Sequence, residues 1–137
     1  MDSKLVALIA AGTLLFLGHT VDHVIRDQLR WGSPELFAFT LVSLVVFGAI
    51  GASLYLYRRG KVGPRFWTLF AFTGVVLGWA GHFSPFTGQP PSYILRAYGN
   101  GVAGWLAVGV LSALMLVMAI TAVYAAYLWK RAAPPNP

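Results

Sequence analysis

Four side chains that could do chemistry lie close together near the start of the chain: His19, Asp22, His23 and Arg26. A helix advances by about 100° per residue, so these side chains fall within an arc of about 100° on one helix face. They therefore predict a polar stripe two turns long. A third histidine, His82, closes a separate apolar run much later in the chain.

Three neutral imidazoles and a carboxylate are a suitable ligand set for zinc or copper, since both ions accept nitrogen ligands and a histidine pair at i, i+4 can bind one ion. We therefore predict a metal site made of His19, Asp22, His23 and His82, with Arg26 as a neighbouring charge. Asp22 would be a fourth ligand or would orient an imidazole. The chain has no cysteine, which excludes thiolate ligands.

A simpler interpretation stays open beside the metal site. Asp22 and Arg26 are spaced i, i+4 and could form an ion pair at the level of the lipid headgroups. The histidines could then cap helices, hydrogen-bond to neighbouring helices or face water.

Two further functions use the same residues. A haem- or quinone-binding subunit of a redox complex would place a histidine of the first run opposite His82, with arginines near the propionates. A zinc hydrolase at the membrane surface would use Asp22 as a base. The sequence contains no nucleotide-binding or nucleophile motif. Whether the chain is an enzyme stays open, with a non-catalytic role favoured.

The amino-acid composition indicates the class of fold that must position these residues. Hydrophobic residues make up 58% of the chain and charged residues only 10%, whereas soluble domains contain about 25% charged residues. About 20 apolar residues in a helix cross a bilayer, and four such runs are present, at about 4–25, 34–57, 65–84 and 100–130. The predicted fold is an all-α, integral membrane four-helix bundle, with residues 1–137 forming a single membrane domain.

The breaks between the runs support this division. Ser33, Pro34 and Glu35 form a typical helix start, and a basic stretch with Gly60, Gly63 and Pro64 separates the second and third runs. Because the first and third spans run in the same direction, His82 is expected at the same depth as His19 and His23.

Lysine and arginine predict the orientation. With four spans, three chain regions share one side: the amino terminus, the middle loop and the carboxyl-terminal tail. That side carries seven basic residues and the opposite side carries three, namely Arg26, Arg30 and Arg96. The positive-inside rule then places both termini in the cytoplasm. We expect an integral protein of a prokaryotic plasma (inner) membrane, and the net charge of +6 indicates this membrane bias and not a nucleic-acid partner.

Two regions bear on partners and packing. The outer loop, 85–99, is rich in proline and glycine and could hold a short interfacial helix. Gly74 and Gly78 form a GxxxG pair, and Gly48 and Gly51 offer a second set of small residues for close helix packing. Besides the lipid bilayer, a larger membrane complex or a second copy of the chain could be the partner. The chain would then be an accessory subunit, or a purely structural one.

Overall fold

The computed structural model of the protein describes residues 2–26 and 33–132 and is all-helical over these ranges. The five helices are α1 (Ser3–Arg26), α2 (Pro34–Arg58), α3 (Pro64–His82), the short α4 (Pro91–Ala97) and α5 (Val102–Ala132). The all-α class is thus confirmed. Arg30, used above for the orientation, lies outside the described residues.

Three of these helices, α1, α2 and α5, are long and apolar enough to cross a membrane, consistent with a membrane protein. Helix α3 has 19 residues but is not among them, because Arg65 and His82 lie within its bounds and lower its mean hydropathy. A fourth span at 65–84 therefore stays a prediction.

Local sequence explains the helix starts. The Ser33 hydroxyl accepts a hydrogen bond from the Leu36 backbone N–H at 3.1 Å, and Pro34 takes the first position of α2. Pro64 begins α3 in the same way. At the start of α1, the Asp2 carboxylate accepts from the Leu5 N–H at 2.8 Å, a cap that the sequence analysis did not identify.

One end of the bundle holds a hydrophobic core built from all four long helices. Leu5 and Trp67 are the most enclosed of its large side chains, with 0% and 1% of their surfaces exposed. They pack with Ile9, Ile50 and Ala125. Because the basic residues of the chain termini and of the turn after α2 also lie here, we call it the basic end. The opposite end, where α1 and α3 finish, is the histidine end.

Helix α5 is the centre of the bundle, since α1, α3 and α4 all pack closely against it, while α2 packs closely against α1. A Cβ added at Gly74 would lie 2.7 Å from the Met118 sulfur, and one at Gly78 would collide with the Met115 sulfur. This GxxxG pair therefore brings α3 against α5. The glycines of α2 have no such role, since a Cβ at Gly48 or Gly51 would meet no atom within 4 Å.

The chain between α3 and α5 folds back over the histidine end. Its short helix α4 buries Ile94 completely, against Ala107 and Leu111 of α5. Gly99 and Asn100 then reverse the chain with φ values of 61° and 57°, a left-handed conformation that glycine and asparagine adopt most readily.

Candidate metal centre

The three histidines of the chain converge at the histidine end. One ring nitrogen from each of His19, His23 and His82 lies within 4.8 Å of the others. The ring centroids of His19 lie 4.7 Å from His23 and 5.0 Å from His82, both edge-on, and those of His23 and His82 lie 5.6 Å apart. We call these three residues the histidine cluster, and they could hold a metal ion.

The spacing of the cluster is close to that of a metal site. Zinc binds imidazole nitrogens at about 2.0–2.1 Å in tetrahedral geometry, so ligand nitrogens lie about 3.4 Å apart. Each imidazole of the cluster needs to move by less than about 1 Å to reach this geometry. His19 and His82 are 8% and 7% exposed, so the site is enclosed by the fold.

His82 is held in an orientation that suits a ligand. Its Nδ1–H donates a hydrogen bond to the Gln89 backbone carbonyl at 3.0 Å. This bond fixes the tautomer and leaves the Nε2 lone pair for an ion, and metal-bound histidines commonly use their second nitrogen in this way. His19, in contrast, has a buried Nδ1 with no hydrogen-bond partner in the described part of the chain.

Arg26 reaches across the cluster. Its Nη2 donates to His23 Nδ1 at 2.9 Å and to the Gln89 side-chain oxygen at 3.4 Å. The same nitrogen lies 3.6 Å from Asp22 Oδ2. Arg26 is thus the neighbouring charge that the sequence predicts, and its ion pair with Asp22 is the one that the simpler interpretation expects.

Asp22 occupies a different position from the three imidazoles. Its Oδ1 accepts a hydrogen bond from the Tyr98 hydroxyl at 2.8 Å, and its Oδ2 faces Arg26. The group of potential ligand atoms that come together consists of the three histidines without this carboxylate. Asp22 therefore neutralises Arg26 and anchors the loop after α4, in the arrangement seen here.

The rings of His19 and His82 leave no gap between them for a haem that both would ligate. Axial imidazoles must stand on opposite faces of the macrocycle. The rings of His19 and His82 are instead in edge-on contact, with centroids 5.0 Å apart. The cluster is therefore better suited to a single small ion.

Two residues of the site were missed by sequence reasoning. Gln89 contacts both His82 and Arg26, and Tyr98 bonds to Asp22 across 76 residues of sequence. Both belong to the proline-rich region after α3, which has no periodicity to indicate which side chains turn inward. The one available signal was the position of this loop on the same side as the histidines.

No protein-family model, no curated protein and no solved structure matches this chain.

Proposed function

We propose that this protein is a small membrane protein that binds one transition-metal ion, zinc or copper, through His19, His23 and His82. The observation that carries the proposal is the convergence of one nitrogen from each histidine to within 4.8 Å. Three nitrogen ligands leave a fourth position open for water or another ligand.

The charges around the cluster support an incoming cation. Arg26 and Asp22 lie together and offset one another, so the neutral imidazoles face no uncompensated positive charge. Because Arg26 donates to His23, the ion would replace the guanidinium at that ring. The same nitrogen of Arg26 also contacts Asp22 and Gln89, so these two contacts would readjust as the ion enters.

We propose a non-catalytic, accessory role rather than hydrolysis. A metal-bound water needs a base, and Asp22 is already engaged by Tyr98 and Arg26. Helix α2 carries large exposed apolar side chains along its length, among them Phe37 at 72% and Val45 at 63% exposed. Such a face suits lipid, a larger membrane complex or a second copy of the chain.

We further propose that α3 crosses the bilayer with α1, α2 and α5, in the orientation that places both termini in the cytoplasm. The support is the shared core of the four long helices at the basic end and the excess of lysine and arginine there. The histidine cluster would then lie near the outer face.

The metal proposal is tested by stripping the purified protein with a chelator, reloading it with Zn²⁺ or Cu²⁺ and measuring bound metal. We expect one ion per chain in the wild type and loss of that ion in His19→Ala and His82→Ala. The protein loaded with Co²⁺ should show the visible absorption bands of tetrahedrally coordinated cobalt. A matched control is Thr121→Val, which changes a buried polar side chain of α5 outside the cluster. Equal metal content in all four proteins would refute the site.

The orientation is tested with single cysteines, since the natural chain has none. Gly88→Cys and Lys61→Cys lie on opposite ends of the bundle, and both positions are exposed. In intact spheroplasts, a membrane-impermeant maleimide should label position 88 and should label position 61 only after the membrane is opened. The reverse pattern would invert the proposed topology, and labelling of both positions in intact cells would argue against four spans.

A further inference from the structure

A cavity of about 390 Å³ lies inside the bundle, directly beneath the histidine cluster. Its volume is in the range of ligand-binding pockets. The wall is almost entirely apolar and is contributed by α1, α2, α3 and α5, with His19 and His82 at one end and Trp67 at the other. The cavity therefore lies between the histidine cluster and the packed core of the basic end, and residues of both line it.

The shape of this cavity is set by the lining of α3. The residues from Trp67 to His82 span about 22 Å along a helix axis at 1.5 Å per residue. An extended hydrocarbon chain of about 17 carbon atoms has this length, given a carbon–carbon bond of about 1.52 Å. The residues of α3 that line the cavity therefore extend over a distance comparable with the length of one long alkyl chain.

Small lining residues and the lack of close packing between α2 and α3 keep the space open. Gly12, Ala71 and Gly74 line it, and none of them has a side chain large enough to fill it. Helices α2 and α3 contribute side chains to the core at the basic end, yet they are not among the closely packed helix pairs. Close packing between α2 and α3 therefore does not fill this space.

The histidine end of the cavity has an unmet hydrogen-bonding group. His19 is 8% exposed and lines the cavity, and its Nδ1 has no hydrogen-bond partner among the described residues. When an imidazole binds a metal through one nitrogen, the other normally donates to an oxygen. Gln89 supplies that oxygen for His82, and a ligand oxygen can supply it for His19.

We propose that the cavity binds a single long-chain carboxylate, with its chain between α1, α3 and α5 and its carboxylate at the histidine cluster. The carboxylate would accept a hydrogen bond from the Nδ1–H of His19, the buried group that has no partner among the described residues. A dication held by three neutral imidazoles favours an anionic head group over a neutral one. The position of the head group rests on the proposed metal site, whereas the position of the chain rests on the cavity alone.

Selectivity must come from the head group. Lipid tails are as apolar as the cavity wall, so the chain gains little by moving from one to the other. A hydrogen bond to a charged group contributes enough to favour the acid over its methyl ester by about tenfold or more. The matched competitors are therefore palmitate and methyl palmitate, which have the same alkyl chain and differ only in the head group.

The test uses the full-length protein in phosphatidylcholine nanodiscs, with a palmitic acid that carries a photoreactive diazirine in mid-chain. We expect cross-links on cavity residues such as Gly74 and Met118, displaced by palmitate at concentrations about tenfold lower than by methyl palmitate. Ala71→Phe, which fills the cavity, should abolish the saturable labelling. Ala80→Phe, on an exposed position of the same helix, should leave it unchanged.

The outcomes separate this inference from the metal proposal. Saturable labelling that strengthens when Zn²⁺ is added supports both, and saturable labelling in a protein that binds no metal supports the chain site while the metal proposal fails. Cross-links confined to lipid-facing residues such as Phe72, in a protein that holds metal, overturn the inference alone. Equal displacement by palmitate and by its methyl ester would overturn the assignment of a carboxylate as the ligand. Recovery of a quinone or a phospholipid chain from the cavity would overturn it as well. The competition between palmitate and methyl palmitate on the wild-type protein tests the carboxylate even if Ala71→Phe fails to fold.

Discussion

The two ends of the bundle are held together by different forces. At the basic end, apolar side chains from four helices pack around Leu5 and Trp67, and polar contacts lie at the rim, as where the Tyr57 hydroxyl accepts from the Asp2 N–H at 3.2 Å. At the histidine end, ionisable residues, among them Asp22 and Arg26, are buried beside a smaller apolar cluster around Ile94. The stability of the basic end is distributed over many neighbouring apolar contacts. The stability of the histidine end depends on a few specific bonds, each of which must be present.

This difference predicts how each end responds to damage. Truncating an apolar side chain leaves a cavity, whose effect scales with its volume and with how far the neighbours relax. Removing one partner of a buried ion pair leaves a charge that no relaxation can neutralise. Removing a buried charge at the histidine end should therefore cost more in the free energy of unfolding than truncating an apolar side chain at the basic end, although the histidine end buries less apolar surface.

The largest loss is expected for Asp22→Ala. This change leaves the Arg26 guanidinium buried beside the histidines and removes the acceptor of the Tyr98 hydroxyl. We expect a loss of about 3–5 kcal/mol in the free energy of unfolding, measured by SDS titration in micelles. Asp22→Asn keeps an acceptor for Tyr98 and should lose less. A stability unchanged within error in Asp22→Ala would remove the basis of the comparison.

A smaller loss is expected at the basic end for Leu5→Ala. Leu5 is 0% exposed, and truncation of a buried leucine costs about 2–5 kcal/mol, depending on collapse of the site; we expect about 3 kcal/mol. The matched control is Leu14→Ala on the same helix, where the side chain is 70% exposed. If both variants lose equal stability in the same titration, the basic end has no core of the kind described.

The smallest loss is expected for Tyr98→Phe, which deletes one hydroxyl. A hydrogen bond to a charged group contributes about 1.5–3 kcal/mol, and we expect a loss near the lower value since Asp22 keeps Arg26. Tyr127→Phe, at a tyrosine that is 47% exposed, is the control. A double-mutant cycle with Asp22→Ala, which removes the acceptor of this bond, should give a coupling of about 1 kcal/mol. Additive losses would show that Tyr98 acts without Asp22.

Much of this arrangement could be predicted from sequence because helices have regular geometry. The stripe of His19, Asp22, His23 and Arg26 follows from their spacing alone, and the matching depth of His82 follows from the antiparallel order of the apolar runs. The close approach of α3 through Gly74 and Gly78 follows from the lack of side chains there. Each of these inferences needs only a helix and its direction.

The remainder depends on long-range packing, which has no local signal. Gln89 and Tyr98 reach the site through a loop whose path is set by Ile94 docking on α5. The cavity lies where α2 and α3 do not pack closely against each other, and neither helix contains a pattern that specifies this arrangement. Gly48 and Gly51 illustrate the same point, since small residues permit close packing but do not supply a partner helix.

The bond between the Tyr98 hydroxyl and Asp22 joins residues that are 76 positions apart, and this separation has a consequence for biosynthesis. Asp22 and Arg26 leave the ribosome early, when Gln89 and Tyr98 have not yet been made. Ionisable residues in a bilayer are costly, so in the proposed membrane topology Asp22 and Arg26 depend on contacts within α1 until Gln89 and Tyr98 have been made. The histidine end can therefore be completed only after α4 and Tyr98 have been made and this part of the chain has folded back.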